Sequence, residues 1–466
     1  MNMRQGCCVF PADDSGRVLD RLAGLEQIIT PQLIQQALAE TGKIQERECP
    51  LSYSVMMWIV LAMGIFTDVP IRQVFRESRR FHREDKPPSR SALCRARQRL
   101  GSQSVRRLFL LVVCLLGEDD VPGCFYKGYR LMGIDGSVYN IPDTPANERA
   151  FGRPAGGSSS DSKGAFPQVG KVSLVELGTH VETAITIRPL DQGESTMAVR
   201  LLKHLTPEML LLLDAGFFGY PLLKQVFATG SQVLARVPST PNLTPIEHLS
   251  DGSYLSKIYP TPNDRKYDRN GTIVRIIRYE IDDPQRVGHK EEHRLLTTLL
   301  DEKHHPALEL ITLYHERWEQ ELVFDEQKTH QDPRRATKPT HLRSKTPTGV
   351  VQELFALSLA HFVVRKVMFD AAVEEGLDPD QLSFSGTIRI LRCRLPECLS
   401  HSTTAIERWY ENLLHEVRQE VLEVRRNRIN PRVIKQPRVK WPGKKPEHRQ
   451  LPPLTKTFTE SVVMLM

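Results

Sequence analysis

The chain lacks the marks of several protein classes. Its eight cysteines form no CxxC and stand at no zinc-type spacing from histidine, so neither a disulfide framework nor a structural zinc site is expected. They read as reduced cytosolic thiols. The apolar runs Val55–Phe66 and Leu108–Leu116 are too short to span a bilayer, and the N-terminal stretch MNMRQGCCVFPADDSG carries no apolar signal-peptide core. No membrane partner is expected, and a cytoplasmic location follows by default. There is no heptad seam to mark a coiled-coil dimer. Tryptophan is scarce at four residues, and none falls between Pro238 and His304.

What is present is length and unevenly placed charge. With 466 residues the chain can bury a large core and suggests two or three domains. The net charge of +7 is moderate, but the stretch Arg425–Arg449, RRNRINPRVIKQPRVKWPGKKPEHR, has Glu447 as its only acid. Such a tail suits a polyanion, nucleic acid more readily than membrane, because no apolar face accompanies the charge. A disordered solvating tail is the alternative.

From Arg17 to about Gly117 the pattern is helical. Thr30 and Pro31 make an N-cap and first-turn pair, Gly42 stops that helix, Ser52–Phe66 reads as a buried helix, and Asp68 is the expected cap of a third. Ser89 opens SRSALCRARQRLG, in which Ala92, Leu93, Ala96 and Leu100 form an apolar face flanked by Arg90, Arg95, Arg97 and Arg99. A DNA-contacting helix in a small helical domain takes this form, although no residue identifies base readout. Residues 1–117 are therefore expected to be an all-α DNA-binding domain.

At Tyr129 the period changes. Five short apolar runs follow, at Leu131–Asp135, Val169–Leu177, Glu182–Leu190, Met209–Asp214 and Gln232–Val237, with amphipathic helices at Glu194–Leu205 and around Pro221–Ala228. Strand, strand, strand, helix, strand, helix, strand is the order of an α/β, ribonuclease H-like fold. In it the first and fourth strands are neighbours, and here each ends in an aspartate, Asp135 and Asp214. Acids at strand ends of a parallel sheet face the ligand crevice. Residues 238–304 are β-rich and proline-containing, including Ile273–Ile281 and His293–Leu300, and read as an inserted β subdomain. The catalytic domain is expected to span 125–380, with a core helix at Val350–Phe369, and a helical C-terminal region with the basic tail to occupy 381–466.

After the insertion comes YHERWEQELVFDEQK. Tyr314, Arg317, Glu321 and Lys328 recur at helical intervals and fall within roughly 60° of arc. Cations and a phenol beside a carboxylate suit phosphate chemistry. Asp135, Asp214 and Glu321 then converge at one edge of the sheet, and an all-oxygen ligand set of high charge suits Mg²⁺ or Mn²⁺, two ions being the arrangement for cutting and joining phosphodiesters. Asp325 lies one turn beyond Glu321 and is an alternative third ligand. Glu194, Glu316, Glu319 and Glu326 read as structural, while Arg236, Lys171 and Arg188 are candidate phosphate contacts.

These residues resemble the DDE transposases of bacterial insertion sequences, specifically the IS-four family. That family is marked by a tyrosine, two residues, an arginine, three residues, the catalytic glutamate, six residues and a lysine, which Tyr314, Arg317, Glu321 and Lys328 reproduce. DGSVYNIPDTPAN at Asp135, LLDAGFFGY around Asp214 and LRSKTPTGVVQELFALSLAH after the glutamate are also similar to the family's. The resemblance implies that Asp135, Asp214 and Glu321 bind metal and that Tyr314, Arg317 and Lys328 hold the terminal phosphates of the element. Trp318 offers an indole face to an unpaired base, its alternative being a core position. With no tryptophan in the insertion, a base-wedging role there falls to Tyr267 or Tyr279. The expected function is cut-and-paste transposition: binding of terminal inverted repeats in double-stranded DNA, two-metal hydrolysis, and transfer of 3′ ends to target DNA by at least a dimer in the synaptic complex. The rivals are a ribonuclease H-like nuclease without strand transfer and an inactive DNA-binding repressor.

Overall fold

The structure is a computed structural model describing residues 19–45, 49–80, 86–118, 120–154, 164–284, 286, 289–315, 319–332, 340–398, 400–422 and 456–465. The side chains of Glu319, Gln320 and Glu321 lie outside that description.

Four helices lead the chain: Pro31–Glu40, Tyr53–Ile65, Ile71–Glu77 and Arg90–Val112. The hydroxyls of Thr30, Ser52 and Ser89 accept from the first-turn amides of Leu33, Val55 and Ala92, satisfying donors that the helix cannot. The expected Asp68 cap is not used. Pro70 stands at the N-cap of Ile71–Glu77 and Val74 and Phe75 turn inward, so the helix begins later than the acid suggests. Gly101, at φ +73°, breaks the helix that begins at Arg90, and a second helical stretch follows across the kink.

Tyr53–Ile65 is apolar all round and packs beneath the long helix Pro347–Val373. These two, the other leading helices, and the helices Phe384–Arg394 and Thr403–Val417 close on one apolar core. The carbonyls at the C-terminal end of Tyr53–Ile65, which have no partner within the helix, are taken up by distant side chains. Gln331 donates to Gly64 at 2.9 Å, Arg392 to Ile65 at 2.8 Å, and Arg343 to Met63, Phe66 and Val69 at 2.7, 3.0 and 2.5 Å. Arg343 also pairs with the buried Glu353 at 3.3 Å. Breaking a buried pair by removing one partner costs about 3–5 kcal/mol, so this joint between the leading helices and the rest is firm.

The strands are β1 (Phe125–Tyr126), β2 (Tyr129–Asn140), β3 (Gln168–Glu176), β4 (Val181–Pro189), β5 (Met209–Leu213), β6 (Gln232–Arg236), β7 (Glu247–His248), β8 (Tyr254–Ile258), β9 (Thr272–Ile281), β10 (His293–Thr297) and β11 (Val462–Met464). They form one sheet in the order β4-β3-β2-β5-β6-β10-β9-β8-β7. β5 runs parallel to both β2 and β6, and β3 runs antiparallel to both β2 and β4. The run MLLLL of β5 is buried throughout because a strand between parallel neighbours is covered on both faces. With the helices Glu194–Ala198 and Tyr220–Ala228 between β4, β5 and β6, the order is that of a ribonuclease H-like fold.

The insertion does not form a body of its own. β10 pairs antiparallel with β6, so β7 to β10 prolong the central sheet. The end of the described chain joins it too: after the short helix Phe458–Ser461, β11 pairs with β9. The basic stretch Arg425–Arg449 lies outside the described residues, but it is not a terminal tail. The chain is docked before it, where Leu422 donates to the Gln381 carbonyl, and after it, where Arg286 donates to the Lys456 carbonyl. Among the described residues no helix is long and apolar enough to cross a membrane.

Candidate active site

β2 and β5 stay in register through Ile134 and Leu213, and β5 and β6 through Leu213 and Ala235. One residue further on each strand stand Asp135, Asp214 and Arg236. Leu131, Leu210, Leu212 and Leu234, which stand two or four positions before them, all face one core cluster that also contains Tyr314. Alternation along a strand therefore puts Asp135, Asp214 and Arg236 in one row on that face. Adjacent strands lie about 4.8 Å apart, close enough for two carboxylates to share a cation. β5 gives way to a 3₁₀ turn, Ala215–Phe217, whereas β2 runs on to Asn140 paired only with β3, and the crevice opens where they part. Gly136, beside Asp135, lies close under the carboxylate of the exposed Glu194, whose side chain would have to shift to admit a Cβ there.

The helix Glu319–Asp325, which carries Glu321, packs on β2 with Val323 and Phe324 buried. It runs into a π-helical turn, Glu326–His330. Asp325 is exposed, accepts from Thr329 at 2.7 Å and faces His330 at 3.4 Å, both on the turn that follows it. Glu326 is structural, as expected. Burial pushes its carboxyl up, but Arg365, His361 and His180 outweigh this and hold it well below the usual range.

The expected cations divide. Arg236 is exposed at the end of β6. Lys328 lies in the π turn, with Nζ on the Val138 carbonyl at 3.0 Å and over the Tyr139 ring at 4.7 Å. Arg90, Arg95 and Arg99 are exposed on the basic helix. Arg97 is not part of that face: it bonds Gln352 at 2.8 Å and the Gly349 carbonyl at 2.6 Å and lies 3.7 Å from Glu353, a helix-to-helix tie. Lys171 is likewise no phosphate contact. It is fully buried, paired with Glu182 at 2.6 Å, and out of reach of a phosphate. Burial raises the Glu182 carboxyl, but Lys171 and His361 bring it down to about 2. Arg188 lies on β4, two strands from Asp135. Arg317, Trp318 and Glu316 lie outside the described residues.

Tyr314 closes the helix Ala307–His315 and is 8% exposed, its hydroxyl donating to the Leu213 carbonyl at 3.1 Å, one residue before Asp214. Its proton is thus spent on the strand end that holds the acid. Tyr279 is buried and stacked on His293, and burial pushes its phenol up to about 12, so it is no wedge. Tyr267, at the tip of the insertion, is exposed between Lys266 and Arg269.

Hard oxygen donors on neighbouring strand ends fit a divalent cation of the Mg²⁺ class. Among the described residues no three His, Cys, Asp or Glu side chains gather closely enough to hold a metal, the Glu321 carboxylate being outside them. A ribonuclease H-like sheet with two aspartates at adjacent strand ends and an acid on a covering helix defines an enzyme of the DDE class, which acts on nucleic-acid phosphodiesters. Residues 17–110 match the family of insertion element 4 transposase N-terminal regions, and residues 126–363 the transposase DDE domain family. The chain is 30% identical over 426 residues to the transposase InsG for insertion sequence element IS4 of Escherichia coli (strain K12), covering 90% of this chain and 93% of that protein. The putative transposase InsZ of the same organism is 27% identical over 190 residues, 41% of this chain and 62% of its own. A piggyBac transposase synaptic complex with hairpin DNA covers 88% of this chain at 11% identity and a TM-score of 0.40, too slight a likeness to carry weight. The chain belongs to the IS4 family of DDE transposases. It is a transposase, its substrate is DNA, and membership implies dependence on divalent metal.

Proposed function

We propose that this transposase moves its element by a cut-and-paste route, with Asp135, Asp214 and Glu321 as the ligands of two Mg²⁺ ions, Mn²⁺ substituting. The observation that carries the reading is the single row of Asp135 and Asp214 on parallel strands beneath the Glu321 helix. Bound there, the ions supply activation of a water or 3′ hydroxyl and stabilisation of the leaving oxygen. The protein's own residues orient the DNA. Arg236, exposed at the end of β6 beside the acid row, meets a phosphate of the strand being cut, a reading supported by its register with Asp214. Lys328, anchored on β2, and Arg317 from the family motif supply further charge. Tyr314 acts through Leu213 by holding the end of β5.

The exposed Arg90, Arg95 and Arg99 bind the terminal inverted repeats through their backbone, and Trp318 stacks on an unpaired base. Each element has two ends, so the synaptic complex holds at least two protomers. The test is Asp135→Asn assayed on a duplex carrying an element end. Cleavage and strand transfer should both vanish while metal-free end binding persists, and retained cleavage would remove Asp135 from the site. Cleavage without joining by the parent protein would point to a nuclease instead.

A further inference from the structure

We infer that Gln327 is a positioning residue that sets the Glu321 helix against the strand bearing Asp135. The inference rests on the proposed metal role of those two acids. Gln327 lies in the π-helical turn that follows the Glu321 helix and is 1% exposed. Its Oε1 accepts from the Tyr139 hydroxyl at 3.1 Å and the Lys171 ammonium at 2.6 Å, and its Nε2 donates to Glu182 at 2.5 Å. Tyr139 belongs to β2, the strand of Asp135, while Lys171 and Glu182 belong to β3 and β4.

The neighbouring contacts repeat the pattern. Lys328 bonds the Val138 carbonyl of β2. The Lys171 ammonium faces the rings of Tyr139 at 5.7 Å and of Phe324, on the Glu321 helix, at 5.6 Å. Ser358 of the long helix closes the set by donating to Glu182 at 2.6 Å.

Apolar packing tolerates small slides and repacking, whereas hydrogen bonds weaken steeply with angle and are strongest where water is excluded. A polar stitch in a dry interior therefore specifies the depth and rotation of this segment in a way that Val323 and Phe324 alone do not. The amide is chemically specified as well, since one atom must accept two donors while the other donates to a carboxylate. A glutamate at 327 would set a second carboxylate against Glu182, and a leucine would leave Lys171, Tyr139 and Glu182 each short of a partner. The π turn fits this role, because that strained form of helix recurs at functional sites. A small shift of the turn changes the separation of Glu321 from Asp135, and metal affinity responds first.

The experiment uses the full chain with Gln327→Leu and Tyr139→Phe. Mn²⁺ binding is followed by electron paramagnetic resonance of the free ion, and cleavage of an end duplex is titrated with Mn²⁺. Gln327→Leu should weaken Mn²⁺ binding by about tenfold or more and raise the half-maximal Mn²⁺ for cleavage in proportion. Saturating Mn²⁺ should restore most of the rate, with metal-free end binding unchanged. Tyr139→Phe, which removes one contact, should shift the same readings by roughly two- to fivefold and decides the matter if Gln327→Leu does not fold. Mn²⁺ affinity within about twofold of the parent in folded Gln327→Leu, or unchanged in Tyr139→Phe, overturns the inference, as does a rate that saturating Mn²⁺ does not restore. Asp135→Asn run alongside separates the two claims: if it keeps full Mn²⁺ binding, the metal site itself is wrongly assigned.

Discussion

Tyr314→Phe distinguishes a hydroxyl that holds the protein from one that holds DNA. The phenol is 8% exposed and donates to the Leu213 carbonyl at 3.1 Å, at the last residue of β5 before Asp214. A net hydrogen bond is worth about 0.5–1.5 kcal/mol, and a buried carbonyl left without its donor costs about 1–3 kcal/mol, so a loss of about 1–2 kcal/mol in folding stability is expected. Urea unfolding should read this as a lower midpoint with an unchanged slope, because the phenyl ring still fills its place. Fluorescence anisotropy with a labelled end duplex, without divalent metal, should find binding within about twofold of the parent, since a hydroxyl spent on the main chain adds little to phosphate contact. Cleavage should need more metal, because the end of β5 carries Asp214. A stability change below about 0.3 kcal/mol together with end binding weakened tenfold, about 1.4 kcal/mol, would overturn the assignment and return Tyr314 to a phosphate clamp.

Two more outcomes follow from the charge and burial pattern. Arg95→Ala and Arg99→Ala should each lower the slope of log affinity against log salt by about 0.9, whereas Arg97→Ala, which breaks contacts to Gln352 and Gly349, should leave the slope unchanged and reduce the urea midpoint. Equal slopes for all three variants would remove the basic helix from the DNA face. His315 is stacked on Phe458, and burial, with Arg286 adding to it, lowers its imidazole to about 4. Its folded form refuses the proton that the unfolded chain accepts near pH 6.5, so the stability it contributes is complete above that pH and is lost as pH falls toward 4. At pH 5 the loss reaches up to about 2 kcal/mol before solvent screening is discounted. Hydrogen exchange at Val462–Met464 should quicken between pH 7 and 5 and do so less in His315→Phe; pH-independent protection would refute it.

Much of the site could be read from residues alone because its signals are local. An apolar run ending in aspartate marked β5 within a residue, because a strand buried on both faces leaves continuous apolar sequence, whereas the run Leu131–Asp135 marked only part of β2, which continues five residues further to Asn140. Helix starts at Thr30, Ser52 and Ser89 were equally plain, because a cap and its amide are three residues apart. Pairings across distance left no such trace. Lys171 and Arg97 look like any other cation in sequence, and only their partners Glu182 and Gln352 show them to be internal ties. Gln327 sat inside the motif that drew notice to Glu321, yet nothing in its spacing signals burial.

The sequence by itself determined the class of chemistry: oxygen-only acids at two strand ends and on one helix, with cations in helical register, are a pattern of residue types and intervals that survives any detail of packing. Tertiary structure decided what each polar group is for. It ran the insertion into the central sheet through β10 and β6, returned the chain's end to β9 as β11, and took Tyr314, Lys171 and Arg97 out of solvent. The reason is that a hydrogen bond or ion pair draws its value from its partner and from the exclusion of water, and both depend on which segments the fold brings together, Arg97 and Gly349 being 252 residues apart and Lys171 and Gln327 156.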